Sequence, residues 1–215
     1  MAKKITVKDM KHDGLVEAVA TTAGFMQRYR GIFFTLGVVL VIIVVIIAAT
    51  SYHSSSMTKQ AATELSQARS KEALSGIYEE YPESPAAPLA LIQFAAILYD
   101  DAEFESAGEA YKLFLKRYPG HPLASFAQMG KAYCLESRGK LEEAVGEYVR
   151  VGEIYPASSL IPEAGINKGR CQARQGQAVE AIESYREVIE RFPQSLYAGL
   201  AREEMVNLLF LKAKN

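Results

Sequence analysis

What this 215-residue chain has least of is the equipment of catalysis. Its three histidines, His12, His53 and His121, fall in three separate regions, which gives neither a metal cluster nor a nucleophile-base pair. No glycine-rich phosphate loop is present, and the acidic run Asp100, Asp101, Glu103, Glu105 reads as a solvated turn between helices. Ser56 and Lys59 match a Ser-x-x-Lys nucleophile motif, but the Ser-Asp-Asn and Lys-Thr-Gly segments that complete such a site are missing. No catalytic residue, cofactor or metal is therefore expected. A membrane-anchored serine hydrolase built on Ser56 and Lys59 is the remote alternative.

Cysteine is almost as scarce. Cys134 and Cys171 stand 37 residues apart, at equivalent points of what will prove to be a repeat. Packed helix axes lie about 8 to 10 Å apart, whereas a disulfide needs Cα atoms within about 7 Å, so both read as small packing residues. Charge of one sign is missing too: 24 basic against 25 acidic residues give −1. The segment 1–31 holds six of the basic and three of the acidic ones, leaving 18 against 22 for the rest. A mildly acidic domain with no basic stripe excludes DNA and RNA as expected partners.

Only one long hydrophobic run exists. Ile32 to Ala49 is interrupted by Thr35 and Gly37 alone, and as a helix its 18 residues cover about 27 Å, close to the thickness of bilayer hydrocarbon. A transmembrane helix is expected over 31–52. A cleaved secretory signal has a short basic start and a core of about 7 to 15 residues, whereas the whole segment 1–31 precedes this longer core. Neither cysteine is near it, so a lipid-modified cysteine cannot tether the chain there. Lys3, Lys4, Lys8, Lys11, Arg28 and Arg30 precede the run, against only Lys59 and Arg69 in the segment 51–70 that follows it. Positive charge resists translocation, so residues 1–30 should form a cytoplasmic basic tail and 53–215 should lie outside, in a bacterial periplasm. Within the tail, Asp13 caps a possible amphipathic helix bearing Leu15, Val16, Val19, Phe25 and Met26; a basic tail that only fixes topology fits equally.

The richest pattern is periodic. Tyr81-Pro82, Tyr118-Pro119, Tyr155-Pro156 and Phe192-Pro193 each follow the last by 37 residues, the mark of a solenoid of stacked units. Ala107, Ala144 and Ala181 share the period, as do Tyr111, Tyr148 and Tyr185, then Phe114, Val151 and Val188. Spacings of i, i+4 and i+7 make these one face of a second helix. Upstream, Ala95, Ala132 and Gly169 keep a small residue in a first helix, and Gly139 and Gly176 supply the turn, where Ala102 stands in the first unit. Proline ends each second helix. The expected fold is all-α, an α-solenoid of antiparallel hairpins over 82–118, 119–155 and 156–192, with flanking helices about 57–80 and 195–212. The last helix is richer in apolar residues than one buried stripe needs, which leaves a terminal cap and a dimer or partner patch both open.

These residues resemble the tetratricopeptide repeat family: Ala132, Gly139, Leu141, Ala144, Tyr148 and Pro156 in one unit, and Gly169, Gly176, Ala181, Tyr185 and Pro193 in the next. The unit is longer by three than that family's usual repeat of about 34 residues, and the excess falls between the proline and the first helix. The resemblance implies a non-enzymatic scaffold whose first helices line a groove for a peptide or partner protein. In the shared register Tyr99, Met129, Tyr133, Arg170 and Arg174 project toward it, unless they pack between hairpins. The whole layout, with Leu15 to Val19 ahead of one span and the repeats, is similar to the YfgM-like ancillary subunits of the SecYEG translocon. That likeness implies an inner-membrane protein associated with the translocon and a membrane-anchored periplasmic chaperone, aiding envelope protein biogenesis. The run Tyr118 to Ala124 also looks like units of outer-membrane assembly lipoproteins and of a cell-division coordinator, the alternative adaptor role.

Overall fold

The computed structural model describes the backbone of residues 30–214, with side chains at 35, 38–48 and 56–210. Among these described residues there are nine helices and no strand. They are α1 (Arg30–Gln67), α2 (Lys71–Glu80), α3 (Ala86–Asp100), α4 (Phe104–Arg117), α5 (Ala124–Ser137), α6 (Leu141–Ile154), α7 (Ile161–Arg174), α8 (Ala178–Arg191) and α9 (Leu196–Lys214). The chain divides into two compact units, 1–56 and 57–215. In the first, every side chain from Val38 to Ile47 is exposed. Among the described residues no helix is long and apolar enough to cross a membrane, and within the run 32–49 side chains are described only at 35 and 38–48. The tail and its helix after Asp13 lie outside the described residues.

The second unit is a stack of helical hairpins. Two 14-residue helices, a three-residue turn at 138–140 and a six-residue connection at 118–123 account for the 37-residue period. The three extra residues thus sit ahead of the first helix, as the spacing suggests. Each second helix stops one residue before the aromatic that precedes proline. Tyr81, Tyr118, Tyr155 and Phe192 leave the helical region at φ −120° to −130° while their amides still bond the carbonyl four residues back.

The residue three places beyond each aromatic closes the connection. Ser84, His121, Ser158 and Ser195 donate their amides to the carbonyls of Tyr81, Tyr118, Tyr155 and Phe192. Their side chains then accept an amide at the start of the next helix, at 3.1 to 3.2 Å. These amides would otherwise lack a partner, which is the work of an N-terminal cap.

The turns inside the hairpins are equally regular. Gly139 and Gly176 take φ of 75° and 79°, and Ala102 takes 61°, the one positive φ outside glycine among the described residues. The amides of Glu103, Lys140 and Gln177 reach back five residues to Leu98, Leu135 and Gln172, and those of Ala102, Gly139 and Gly176 bond Tyr99, Glu136 and Ala173. This is the paired closure of a helix C-terminus by a left-handed residue.

The periodic small and aromatic residues form the core, with Ala95, Ala132, Ala107, Ala144, Ala181, Tyr148, Tyr185 and Phe114 all buried. The expected single leading helix over 57–80 is broken. α1 ends at Gln67 and α2 begins after Ser70, whose hydroxyl accepts the Ala73 amide at 3.2 Å. A side-chain cap at Ser70 competes with helix continuation, so the stack opens on a hairpin; Tyr81 of that hairpin donates to Glu64 at 3.0 Å. At the other end α9 docks Ala198 and Ala201 and leaves Val206, Leu209 and Phe210 exposed.

Candidate functional site

The first helices of successive hairpins touch along one face, α3 against α5 and α7 against α9. Polar residues on this face bond from one hairpin to the next. The Tyr99 and Ser137 hydroxyls lie 3.1 Å apart, and the Tyr99 and Tyr133 rings are 6.4 Å apart at a tilt. Tyr133 donates to Glu163 and accepts Asn167 Nδ2 at 3.3 Å. Tyr197 donates to the other oxygen of Glu163 at 2.9 Å. Arg174 reaches Glu136 and Arg170 reaches Glu204, both at 2.9 Å. Burial, with the Glu163 carboxylate beside it, raises the Tyr133 hydroxyl pKa far above the ordinary phenol value, so it stays a donor.

On this face α3, α5 and α7 enclose a groove of about 370 Å³. Ile92 and Ala96 come from α3, Phe126 and Met129 from α5, Leu160 and Glu163 from the start of α7. Phe126 is 52% exposed, a large aromatic left at the groove. The groove exists because α5 carries Gly130: a Cβ there would lie 2.4 Å from Tyr111 Cζ, so only glycine lets that ring reach the wall. An apolar groove of this size with a few placed polar groups suits a peptide side chain or two.

Of the five residues expected to face a partner, Tyr133 lines the groove and Tyr99 is half-buried beside it. Met129 is 3% exposed, so it forms floor rather than a free contact. It packs with Ala132, Tyr148 and Cys171 because helical spacing turns position 129 toward α6 and α7. Arg170 and Arg174 are engaged by carboxylates of neighbouring hairpins and do not line the groove. Phe126, Leu160 and Glu163 also line the groove and are not among those five. A signal was available, since cross-hairpin partners such as Tyr133 with Asn167 and Glu136 with Arg174 are separated by close to one period.

Elsewhere the chemistry is structural. Cys134 and Cys171 are free and buried, their thiols pushed up to about 11 and about 12 by burial. His121 serves its connection, and Ser56 and Lys59 are exposed. Among the described residues no group of acidic, His or Cys side chains could hold a metal.

No curated protein matches this chain. Solved structures match the fold. TPR-like repeats of a kinesin light chain from Podospora anserina align at 15% identity over 75% of this chain and 87% of that one, with a TM-score of 0.55. MamA from strain RS-1, a double mutant, aligns at 17% over 74% and 85%, at 0.54. The type III secretion translocator chaperone SycD of Yersinia enterocolitica aligns at 16% over 60% and 96%, at 0.51. At such identities the likeness is one of fold, a tetratricopeptide-like stack. The family model described as YfiO, outer membrane lipoprotein, matches residues 49–213, well over half of the chain and every hairpin in it, and the chain belongs to that family.

Proposed function

We propose that this chain is a membrane-anchored scaffold of the bacterial envelope that takes up a segment of a partner protein in the groove between α3, α5 and α7. The observation that carries the reading is the exposed Phe126 at an apolar groove on the first-helix face of a stack belonging to an envelope family. Such a surface offers burial of apolar area with a polar rim, the makings of partner recognition rather than catalysis.

The anchor is the apolar run 32–49. Within it, ten consecutive Val, Ile and Leu side chains from Val38 to Ile47 are exposed along a helix. In water that is unfavourable by about 25 cal/mol per Å² of apolar surface; in lipid it is the expected state. A lipid-bearing cysteine does not replace it among these residues, because both cysteines are buried in the repeats. The proposed topology keeps 1–30 in the cytoplasm, 31–52 in the inner membrane and 53–215 in the periplasm. Cysteines introduced singly at Ala2 and at exposed Lys112 test it: a membrane-impermeant maleimide added to spheroplasts should label only the second.

Family membership supports a partner in outer-membrane protein assembly, or the related cell-division adaptor role. The layout of basic tail, single span and repeats supports a place beside the SecYEG translocon and a membrane-anchored chaperone. A photoreactive residue at Phe126 in native membranes separates these. Translocon subunits among the products favour the second placement, assembly or division proteins the first, and products unchanged when Ile92 and Leu160 are both replaced by Glu reject the groove.

A further inference from the structure

Glu163 is the one acidic or basic side chain lining the α3, α5, α7 groove. Its two carboxylate oxygens are each held by a tyrosine hydroxyl, Tyr133 from α5 and Tyr197 from α9, at 2.9 Å for the latter. Both donors are neutral, so they fix the carboxylate without cancelling its charge. Burial and the same carboxylate raise both hydroxyls above the ordinary phenol value. No ion pair within the described residues involves Glu163, whereas the other carboxylates of this face are neutralised: Glu136 by Arg174, Glu204 by Arg170. Arg170, two turns along α7, is therefore already engaged.

A carboxylate has about four acceptor sites, of which the two tyrosines take two. What remains is a fixed negative charge at an apolar groove, where a charge-assisted hydrogen bond is stronger than in open water. Resting on the groove reading above, we infer that the occupant is an apolar or aromatic peptide segment carrying a lysine or arginine next to its bulky residue. Its apolar side chain lies against Ile92, Phe126 and Leu160, and its cation meets Glu163. Charge complementarity is the argument: an acidic segment would bring like charge against a carboxylate that has no cation to release.

The test uses the full chain in detergent micelles and fluorescein-labelled decapeptides containing Phe and Leu with Lys, Gln or Glu at one central position, read by anisotropy. The Lys peptide should bind about tenfold more tightly than the Gln peptide, with Glu weakest. Glu163→Gln, which keeps an acceptor for the tyrosines, should bring Lys and Gln within about twofold of each other while retaining apolar binding. Tyr133→Phe removes one of the two hydroxyls that fix the carboxylate and, by loosening it, should reduce the preference in part. Equal binding of Lys and Glu peptides, or a preference that survives Glu163→Gln, overturns the inference while Phe126→Ala still abolishes binding. If no peptide binds, or binding ignores Phe126→Ala, the groove reading fails and the inference with it.

Discussion

The ring of Tyr185 fills the space in which a side chain at Gly169 would begin: a Cβ built there would lie 2.4 Å from Tyr185 Cε1. One unit earlier the equivalent positions hold Ala132 and Tyr148, both buried in one cluster, so the methyl that Tyr185 excludes is accommodated there. Gly169→Ala should therefore destabilise the stack by about 1 to 3 kcal/mol through overpacking. Gly146, inside α6, has nothing within 4 Å of its Cβ position, and Gly146→Ala should stabilise by about 0.5 to 1 kcal/mol. Urea midpoints of the two variants should move in opposite directions, although the substitution is the same.

Ala102 closes its hairpin at φ 61° where the next two units use glycine. An L-residue with a Cβ costs roughly 1 to 2 kcal/mol in that region, partly offset by its smaller loss of freedom on folding. Ala102→Gly should raise stability by about 0.5 to 1 kcal/mol. Gly139→Ala and Gly176→Ala should lower it by about 1 kcal/mol or more. Thermal melts of the three variants check both signs.

Period and helix spacing made the hairpins legible, because Ala107, Tyr111 and Phe114 are buried like their equivalents one and two periods on. The caps were legible too, in Ser84, His121, Ser158 and Ser195 at that same interval, but an imidazole among three hydroxyls hides the column. Lys131 and Lys168, one period apart, find Glu147 and Glu187 on the second helices. The groove was less readable. Its residues are set by which turn of one first helix meets which turn of the next, so Tyr133 pairs with Glu163 and Asn167 rather than with its own equivalent Arg170. Phe126 carries no periodic signal at all, since Glu163 stands one period on.

Glu147 is pulled two ways. Burial works to raise its carboxyl, but the hydrogen bonds from Lys131 and Gln128 and the charge of Arg150 outweigh it and hold it below the usual value. Lys131 Nζ lies 2.9 Å from one oxygen and Gln128 Nε2 2.6 Å from the other. A depressed carboxyl contributes stability that is present above the unfolded pKa, about 4.3, and is lost as pH falls through the folded value. Lys131→Met should cost about 1 to 2 kcal/mol at pH 7, by leaving a buried carboxylate under-paired. The gap to the native sequence should narrow only as pH falls below the unfolded value and on through the depressed folded one, where Glu147 becomes protonated in either background. A cost that shows no narrowing down to the acid limit of the folded state would assign it to lost packing of the lysine stem instead.

Alkali acts on the opposite sign of shift. Burial pushes the Cys134 thiol up to about 11 and, with Glu136 adding, Cys171 up to about 12; burial likewise takes Tyr111 and Tyr185 to about 12. The unfolded chain releases these protons near 8.5 for thiols and 10 for phenols, roughly. Raised groups give their full stabilisation below the unfolded values and lose it as pH climbs through the folded ones, so stability should fall from about pH 8.5 to about 12. Two steps are expected in urea midpoints against pH, thiols first and phenols after. Cys134→Ala together with Cys171→Ala should remove the fall between about pH 8.5 and 9.5 and leave the phenol limb, because only the thiols titrate in the unfolded chain that early. Iodoacetamide should modify neither thiol of the folded native chain at pH 8, and both once urea opens the stack; native-state labelling at comparable speed would place the cysteines outside the core that the repeat spacing gives them.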